Sequence, residues 1–239
     1  MSWFGYGEYV SVAEKRKKTE KQVEKLRKKN KDLAPVIIEG RKIATTWWGS
    51  AWCKNLESYA DFSNRIGRGR SYVRNGFVVD LKIDEGVVIA KVMGSRLYTA
   101  TIKIDILSKA NKDSITQAVG RKIDSVADLV EGKFPKDFEE LFLTQKKGLF
   151  PSPKEIHMDC SCPDWATMCK HVAAVLYGVG ARLDEDPLLF FKLRGVDVST
   201  FIKASIEEKL SHMMKNAGRA SERVLDDADL GELFGVDAY

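Results

Sequence analysis

The order of apolar and polar positions divides the chain into a strand-rich centre flanked by helices. Three runs, 72–83, 87–93 and 98–104, are rich in β-branched residues and alternate apolar with polar side chains, as in VVDLKI and TATIKI. A period of two indicates strands with one covered face. The links between the runs are short, and Gly86 closes the first turn. We therefore predict an antiparallel β-meander.

Helical periodicity dominates the remaining chain. One amphipathic helix is predicted from apolar residues at steps of three and four: Ile115, Val119, Ile123, Val126 and Val130. Further helices are predicted over 14–32, 136–143, 172–183, 188–194 and 201–214. An aromatic helix is expected to anchor the core through its buried side chains: Trp47, Trp48, Trp52, Leu56 and Tyr59. Residues 36–43 are predicted as a short first strand.

Together these elements predict an α+β protein in which helices cover an antiparallel sheet. Residues 146–154 contain Gly148, Pro151 and Pro153 and are expected to form a linker. We divide the chain into a basic, helical arm (1–34), an α+β body (35–145), a small cysteine-containing module (146–195) and a helical region with an acidic tail (196–239).

Composition narrows the class of protein. The chain has 239 residues, of which 44% are hydrophobic and 31% charged, an ordinary globular composition. The longest nearly unbroken apolar stretch, 172–181, is ten residues, whereas a membrane-spanning helix needs about 20. Residues 1–10 lack the basic and apolar regions of a secretory signal. We expect a cytoplasmic protein with no membrane contact and no small-molecule substrate.

Charge is distributed unevenly along the chain. Residues 1–33 hold ten basic and five acidic side chains, whereas residues 221–239 hold one basic and six acidic side chains. The basic head favours a polyanionic partner, although a solvated charged face is the alternative. The acidic tail, with its interspersed leucines, is expected either to dock in a groove of a partner protein or to fold back on its own body.

Metal-binding chemistry is concentrated in one short segment, whose four donors are Cys160, Cys162, Cys169 and His171. Zinc prefers tetrahedral sulfur and nitrogen ligands, and six intervening residues are enough to bring both pairs around one ion. A complete shell of four ligands leaves no position for a reactive water, so we predict one structural zinc ion. Lys170, between two ligands, is placed to offset the site's negative charge. A redox pair is normally spaced Cys-x-x-Cys, which is absent here.

Three other candidate donors are assigned elsewhere. Cys53 stands apart from the cluster, and His157 and His212 are expected at the surface because the four-ligand set is already complete.

The cysteine and histidine pattern resembles the SWIM zinc-finger family, whose signature is Cys-x-Cys, a variable gap and Cys-x-His. All four ligand positions match, and the looser similarity, including TTWWGSAW and RGRSY, extends over residues 45–200. The resemblance implies a short β-hairpin for the first pair and a helix start for the second. It also implies a DNA-binding or protein-binding module of the kind found in or beside Swi/Snf-type ATPases and Mutator-like transposases.

A basic segment before the meander is the candidate nucleic-acid contact. It places four arginines within ten residues, among glycines and a tyrosine: Arg65, Arg68, Arg70, Tyr72 and Arg74. Guanidinium groups match phosphate oxygens and an exposed tyrosine can stack on a base. Lys170 is added to this set. The alternative is a solvated loop whose arginines pair with carboxylates such as Asp61 and Asp80.

Catalytic motifs are absent from the sequence. Neither the zinc-deaminase spacing nor a Walker A loop is present. A nuclease would need a further strand and carboxylate to hold two metal ions. We therefore predict a non-catalytic accessory protein that binds nucleic acid, with DNA ahead of RNA and a Swi/Snf-type ATPase as candidate partner. The alternative is an adaptor that binds only protein.

Overall fold

The computed structural model describes residues 10–57, 63–122 and 147–197, together with 203, 210, 211 and 213–215, which are helical. The chain divides into two compact units, Met1–Val198 and Ser199–Tyr239. The predicted helix over 136–143 and the acidic tail lie outside the described residues. Within those residues, no helix is long and apolar enough to span a membrane.

Four antiparallel strands form the sheet: β1 Val78–Asp84, β2 Val87–Met93, β3 Leu97–Ile104 and β4 Ile156–Cys160. They lie in the order β1-β2-β3-β4, which confirms the predicted meander and adds a fourth strand. Gly86, with φ of +65°, makes the turn between β1 and β2. The resemblance implied a short β-hairpin that carries the first cysteine pair; in the structure Cys160 ends β4, which pairs with the distant strand β3, and it lies opposite Ala100.

Six α-helices are described in the first unit: α1 Val12–Lys29, α2 Trp47–Glu57, α3 Ser63–Arg74, α4 Lys109–Lys122, α5 Lys170–Glu185 and α6 Leu188–Leu193. They confirm the helices predicted over 14–32, 172–183 and 188–194. Ser11 and Glu14 form a reciprocal capping box at the start of α1. The predicted amphipathic helix begins at Lys109, and its continuation beyond Lys122 lies outside the described residues.

Two strand predictions were wrong. Residues 72–74 complete α3 instead of beginning β1, because the helix continues to Arg74 and the chain then turns at Gly76, with φ of +71°. Residues 36–43 form no strand, because the chain bends at Gly40, where φ is +84°, and again at Ile43. Two backbone bonds tie this stretch to β1, from Val36 N–H to the Val78 carbonyl and from Leu81 N–H to the Ala34 carbonyl.

Helix α5 is the centre of the core. Twelve of its residues are buried, because one side packs on the sheet and the other on α2 and α3. The aromatic anchor predicted on α2 is confirmed for Trp48, Trp52 and Leu56, whereas Trp47 is only half-buried and Tyr59 lies outside the described residues. Trp52 is 1% exposed and donates its indole N–H to the Leu176 carbonyl at 2.8 Å, and Trp48 donates to the Leu183 carbonyl at 2.8 Å.

Two glycines of α3 have opposite surroundings, and this difference predicts opposite stability effects. A Cβ on Gly69 would lie 2.5 Å from the Cβ of Ala173 and 2.8 Å from its backbone carbon, whereas one on Gly67 would meet nothing within 4 Å. Backbone contact between α3 and α5 leaves no room for a side chain, so Gly69→Ala should lower the free energy of unfolding by about 1–3 kcal/mol or more.

Gly67→Ala is the matched control in the same helix. It should raise the free energy of unfolding by up to about 1 kcal/mol, because alanine loses less backbone entropy on folding. Urea denaturation of both variants measures the difference. Equal effects of the two substitutions would contradict the close helix crossing.

Arg194 is the C-cap residue of α6 and is buried in the core. Its side chain is 0% exposed, and its guanidinium contacts Glu155 Oε1 at 2.6 Å and the Asp105 carbonyl. Gly195, with φ of +69°, ends the helix as predicted. The buried cation thereby joins α6, the end of β3 and the turn before β4.

Candidate metal centre and the surface beside it

The four predicted donors converge at one point of the first unit. Their ligand atoms all lie within 4.8 Å of one another. Nδ1 of His171 lies 3.8 Å from Sγ of Cys169 and 4.0 Å from Sγ of Cys160. Zinc bonds of about 2.3 Å to sulfur and 2.0 Å to nitrogen place the donors of a tetrahedral site roughly 3.5 Å apart. The donor set and its spacing therefore fit zinc.

The first cysteine pair is positioned by the sheet. Cys160 is the last residue of β4, and Cys162 follows in the turn. Ser161 fixes this turn to β3, since its N–H donates to the Thr99 carbonyl at 2.9 Å and its Oγ accepts from Thr99 N–H at 3.0 Å. Sheet pairing thus sets the direction of both thiols.

The second pair is positioned by the start of α5. Cys169 is the N-cap residue, and its sulfur accepts from the Val172 N–H at 3.5 Å. The helix N-terminus favours a negative sulfur. Hydrogen bonding from the Cys160 thiol, and then from His171 and Val172, lowers the pKa of Cys169 to about 3 although burial opposes it. One thiolate is therefore present at neutral pH.

The other two thiols keep their protons in the metal-free cluster. The pKa of Cys160 is raised, mainly because its thiol donates to the Cys169 thiolate, and burial raises the pKa of Cys162. A zinc ion would displace both protons on binding.

His171 is held by aromatic rings. It is 3% exposed and lies between Tyr98, with ring centroids 4.7 Å apart, and Tyr72, at 5.5 Å. Its Nε2 is buried without a hydrogen-bond partner among the described residues and lies against Gly94, where a Cβ would come within 2.7 Å of it. This packing aims Nδ1 at the thiols, as a metal ligand requires.

Residues 154–179 match the family model of the SWIM zinc finger. The chain carries a SWIM zinc finger. The zinc-finger motif predicted from the sequence is confirmed, and the Cys/His cluster supports the predicted zinc ion. The match ends within α5, so the finger consists of β4, the ligand loop and the first part of the central helix.

A curated relative shares more of the chain than the finger alone. Uncharacterized protein Rv2102 of Mycobacterium tuberculosis is 38% identical over 156 residues, which cover 64% of this chain and 56% of that protein. The chain therefore spans little more than half the length of this relative. No solved structure matches.

Three of the four candidate arginines are engaged by other residues of this chain. Arg65 pairs with Asp164 at 2.9 Å. Arg70 contacts the carboxylate of Glu57 and the hydroxyl of Tyr177, the latter at 3.2 Å, and Arg74 donates to the Arg41 carbonyl at 2.6 Å. The segment is helix α3 and not the solvated loop of the alternative, and its arginines bond to Asp164, Glu57 and a backbone carbonyl instead of the carboxylates named there. Asp80 is buried and accepts from the Ala34 N–H, and Asp61 lies outside the described residues.

Arg68 and the two remaining candidates lie beside the finger. Arg68 is exposed and has no hydrogen-bond or ion-pair partner among the described residues. Tyr72 is half-buried against His171, and Lys170 Nζ lies 5.6 Å from the centre of its ring. Arg68 precedes Tyr72 by four residues and follows Arg65 by three, which places all three on the side of α3 that faces the finger.

A groove of about 660 Å³ runs between α1, the β2–β3 turn and the finger. Three lysines line it: Lys15, Lys18 and Lys170. Cys162 and His171 also border the groove, so its positive charge adjoins the metal ligands. From the sequence, the basic head was expected to bind a polyanion, but Lys15 and Lys18 were not named. Helix α1 carries nine basic residues, and only the fold shows which of them face the finger.

The remaining histidine assignments have different outcomes. His157 is exposed and pairs with Asp105 at 3.1 Å, so it takes no part in the cluster. His212 lies outside the described residues.

Proposed function

We propose that this SWIM protein is a non-catalytic accessory protein that binds nucleic acid, DNA in the first place, in the lysine groove beside the zinc finger. The observation that carries the proposal is the convergence of Lys15, Lys18 and Lys170 on one groove that adjoins the zinc ligands. Helix α1 supports it with nine basic and three acidic residues. Lysine ammonium groups bind phosphates as point charges, and such contacts dominate non-specific affinity.

Zinc has a structural role in this proposal. Four protein ligands complete its shell, so the ion holds the first turn of α5 and the finger loop without offering a position to a substrate. Asp164 is the acidic residue among those that line the groove, and its pairing with Arg65 offsets its charge. The groove thus presents a net positive surface to a polyanion.

Replacing the groove lysines tests this function. The triple variant Lys15→Ala, Lys18→Ala, Lys170→Ala should weaken binding of labelled duplex and single-stranded DNA, because up to three phosphate contacts are lost. The slope of log affinity against log salt should become shallower by roughly 2–3. Fluorescence anisotropy over a salt series, with RNA as a further probe, measures this change.

The matched control removes three exposed lysines elsewhere: Lys54 on α2, Lys82 on β1 and Lys103 on β3. The control has the same net charge as the groove variant but should keep most of the salt dependence. If both triple variants weaken binding equally, the net charge of the protein explains the interaction and the groove does not. If the wild-type protein binds none of the probes, the proposal is refuted.

The adaptor alternative remains a prediction from the sequence. Its support is the acidic tail, 221–239, which lies outside the described residues. A Swi/Snf-type ATPase likewise remains a candidate partner on the ground of the resemblance alone.

A further inference from the structure

An exposed tryptophan stands at the tip of the zinc-finger loop. Trp165 is 92% exposed, although it lies between the two ligand pairs of a structured finger. Burying a large aromatic ring is strongly favourable, so an indole left almost wholly in water is unusual in a folded domain. The exposure of Trp165 therefore indicates that its ring is available to a ligand.

The loop that carries Trp165 is held in place from two sides. Arg65 on α3 pairs with Asp164, and the same carboxylate accepts from the Ala166 N–H at 3.2 Å. The guanidinium of Arg65 also lies 5.8 Å from the centre of the indole ring. These contacts restrain the residues on either side of Trp165, which lowers the conformational freedom that the loop would lose when a ligand stacks on the ring.

Basic residues lie on the elements next to the ring. Pro163 and Asp164, directly before Trp165, line the lysine groove with Lys170. Arg68 lies one helical turn after Arg65 on α3 and is exposed. An aromatic face next to a basic groove is the combination by which proteins bind single-stranded nucleic acids, with the groove tracking phosphates and the ring stacking on a base.

We propose that Trp165 is a stacking platform for an unpaired base, and that the ligand of the groove is therefore single-stranded nucleic acid. This inference rests on the proposed function and narrows its ligand. A base within a duplex is stacked on its neighbours and cannot cover the indole, whereas every unpaired base offers a face to it. Arg65 acts as a positioning residue for the platform.

Two substitutions of Trp165 test the platform with labelled oligothymidylate and with a duplex of mixed sequence. Trp165→Ala should weaken oligothymidylate binding roughly 5- to 150-fold, because one base-stacking contact is lost. Trp165→Phe should retain most of the affinity because it keeps an aromatic face. Duplex affinity should change less than about twofold in either variant, because its phosphate contacts remain.

The indole provides a second readout. Oligothymidylate should quench the tryptophan emission of the wild type more strongly than that of Trp165→Phe, even though both bind. Ile89→Ala is the control, since Ile89 is another exposed apolar side chain, 49% exposed on β2. The zinc content and melting temperature of all variants should equal those of the wild type because the substituted side chains are exposed.

The possible results distinguish failure of the stacking platform from failure of the proposed nucleic-acid binding. If the wild type binds oligothymidylate and Trp165→Ala binds it equally well, the platform is refuted while nucleic-acid binding stands, and the exposed indole is then free to anchor a protein. If Trp165→Ala weakens single-stranded and duplex binding to the same extent, the single-strand assignment fails. If the wild type binds no nucleic acid, both proposals fail together.

Discussion

Loss of the zinc ion should unfold the first unit well beyond the finger. Structural zinc binding contributes about 10–16 kcal/mol, whereas whole domains are stable by only about 5–15 kcal/mol. Cys169 caps α5, the helix on which the sheet, α2 and α3 all pack. Without the metal, the three thiols of the cluster and His171 lose their shared partner beside the start of this helix. We therefore expect the sheet, α2 and α3 to lose their packing on α5 when the metal is lost.

Cys169→Ser is the variant that measures this effect. Metal analysis should give about one zinc per chain for the wild type and almost none for Cys169→Ser. The near-ultraviolet circular dichroism of the variant should be lost, because the buried Trp48 and Trp52 pack against α5. Chelation of zinc from the wild type should have the same result.

Cys53→Ser is the matched control, because Cys53 lies outside the cluster. Burial, with the nearby charges of Glu57 and Asp184, raises the pKa of Cys53 to about 12, so this thiol stays protonated. Its replacement should leave the zinc content unchanged. A zinc-free Cys169→Ser protein with native circular dichroism and cooperative melting would contradict the structural role of the ion.

Arg194→Met should strongly destabilise the first unit. The guanidinium is fully buried and contacts both Glu155 and the Asp105 carbonyl. Removing one partner of a buried ion pair costs about 3–5 kcal/mol, since the other charge remains without compensation. For a chain of this size, the melting temperature should fall by about 6–20 °C. Thermal unfolding at neutral pH measures this effect.

The same pair predicts a pH dependence. Burial raises the pKa of Glu155, but hydrogen bonds from Arg194 and Ser152 outweigh it and hold the pKa below its ordinary value of 4.5. A depressed carboxyl pKa stabilises the fold above pH 4.5, and this stabilisation is lost as the pH falls below that value. Arg194→Met should therefore lose less stability than the wild type on acidification.

Lys192→Met is the control for Arg194→Met on the same helix. Lys192 pairs with Asp84 at 3.2 Å, but both side chains are at least half exposed. Exposed pairs contribute about 0–1 kcal/mol, so this variant should melt near the wild type. Equal melting temperatures for the two variants, or identical acid profiles for Arg194→Met and the wild type, would contradict the role of the buried pair.

Elements with a strong local pattern were predictable. Strands β2 and β3 follow the alternation of their residues, and α1, α5 and α6 follow helical composition or periodicity. The boundary between α3 and β1 was not, because Tyr72 and Val73 suit a strand as well as a helix. In the fold Val73 is fully buried and Tyr72 packs on the zinc ligand His171, so tertiary contacts select the helix.

The candidate site divides in the same way. The zinc ligands were identified from their residue types and spacing, because both ligand pairs lie within twelve consecutive residues of the sequence. The bonding partners of the arginines could not be predicted from the sequence. Arg65 finds its partner 99 positions away and Arg70 bonds to Tyr177, 107 positions away. Trp165 also escaped notice, since its exposure depends on what packs around the loop.

By itself, then, the sequence determined the zinc-ligand set, the helix that follows it and the central strands, because each depends on residues close together in the chain. Only the tertiary structure decided that β4 joins the sheet and that α5 lies at the centre of the core. It also decided that Gly69 serves helix packing, and that Lys15 and Lys18 meet Lys170 in one groove. These features depend on contacts between distant segments, which no local pattern encodes.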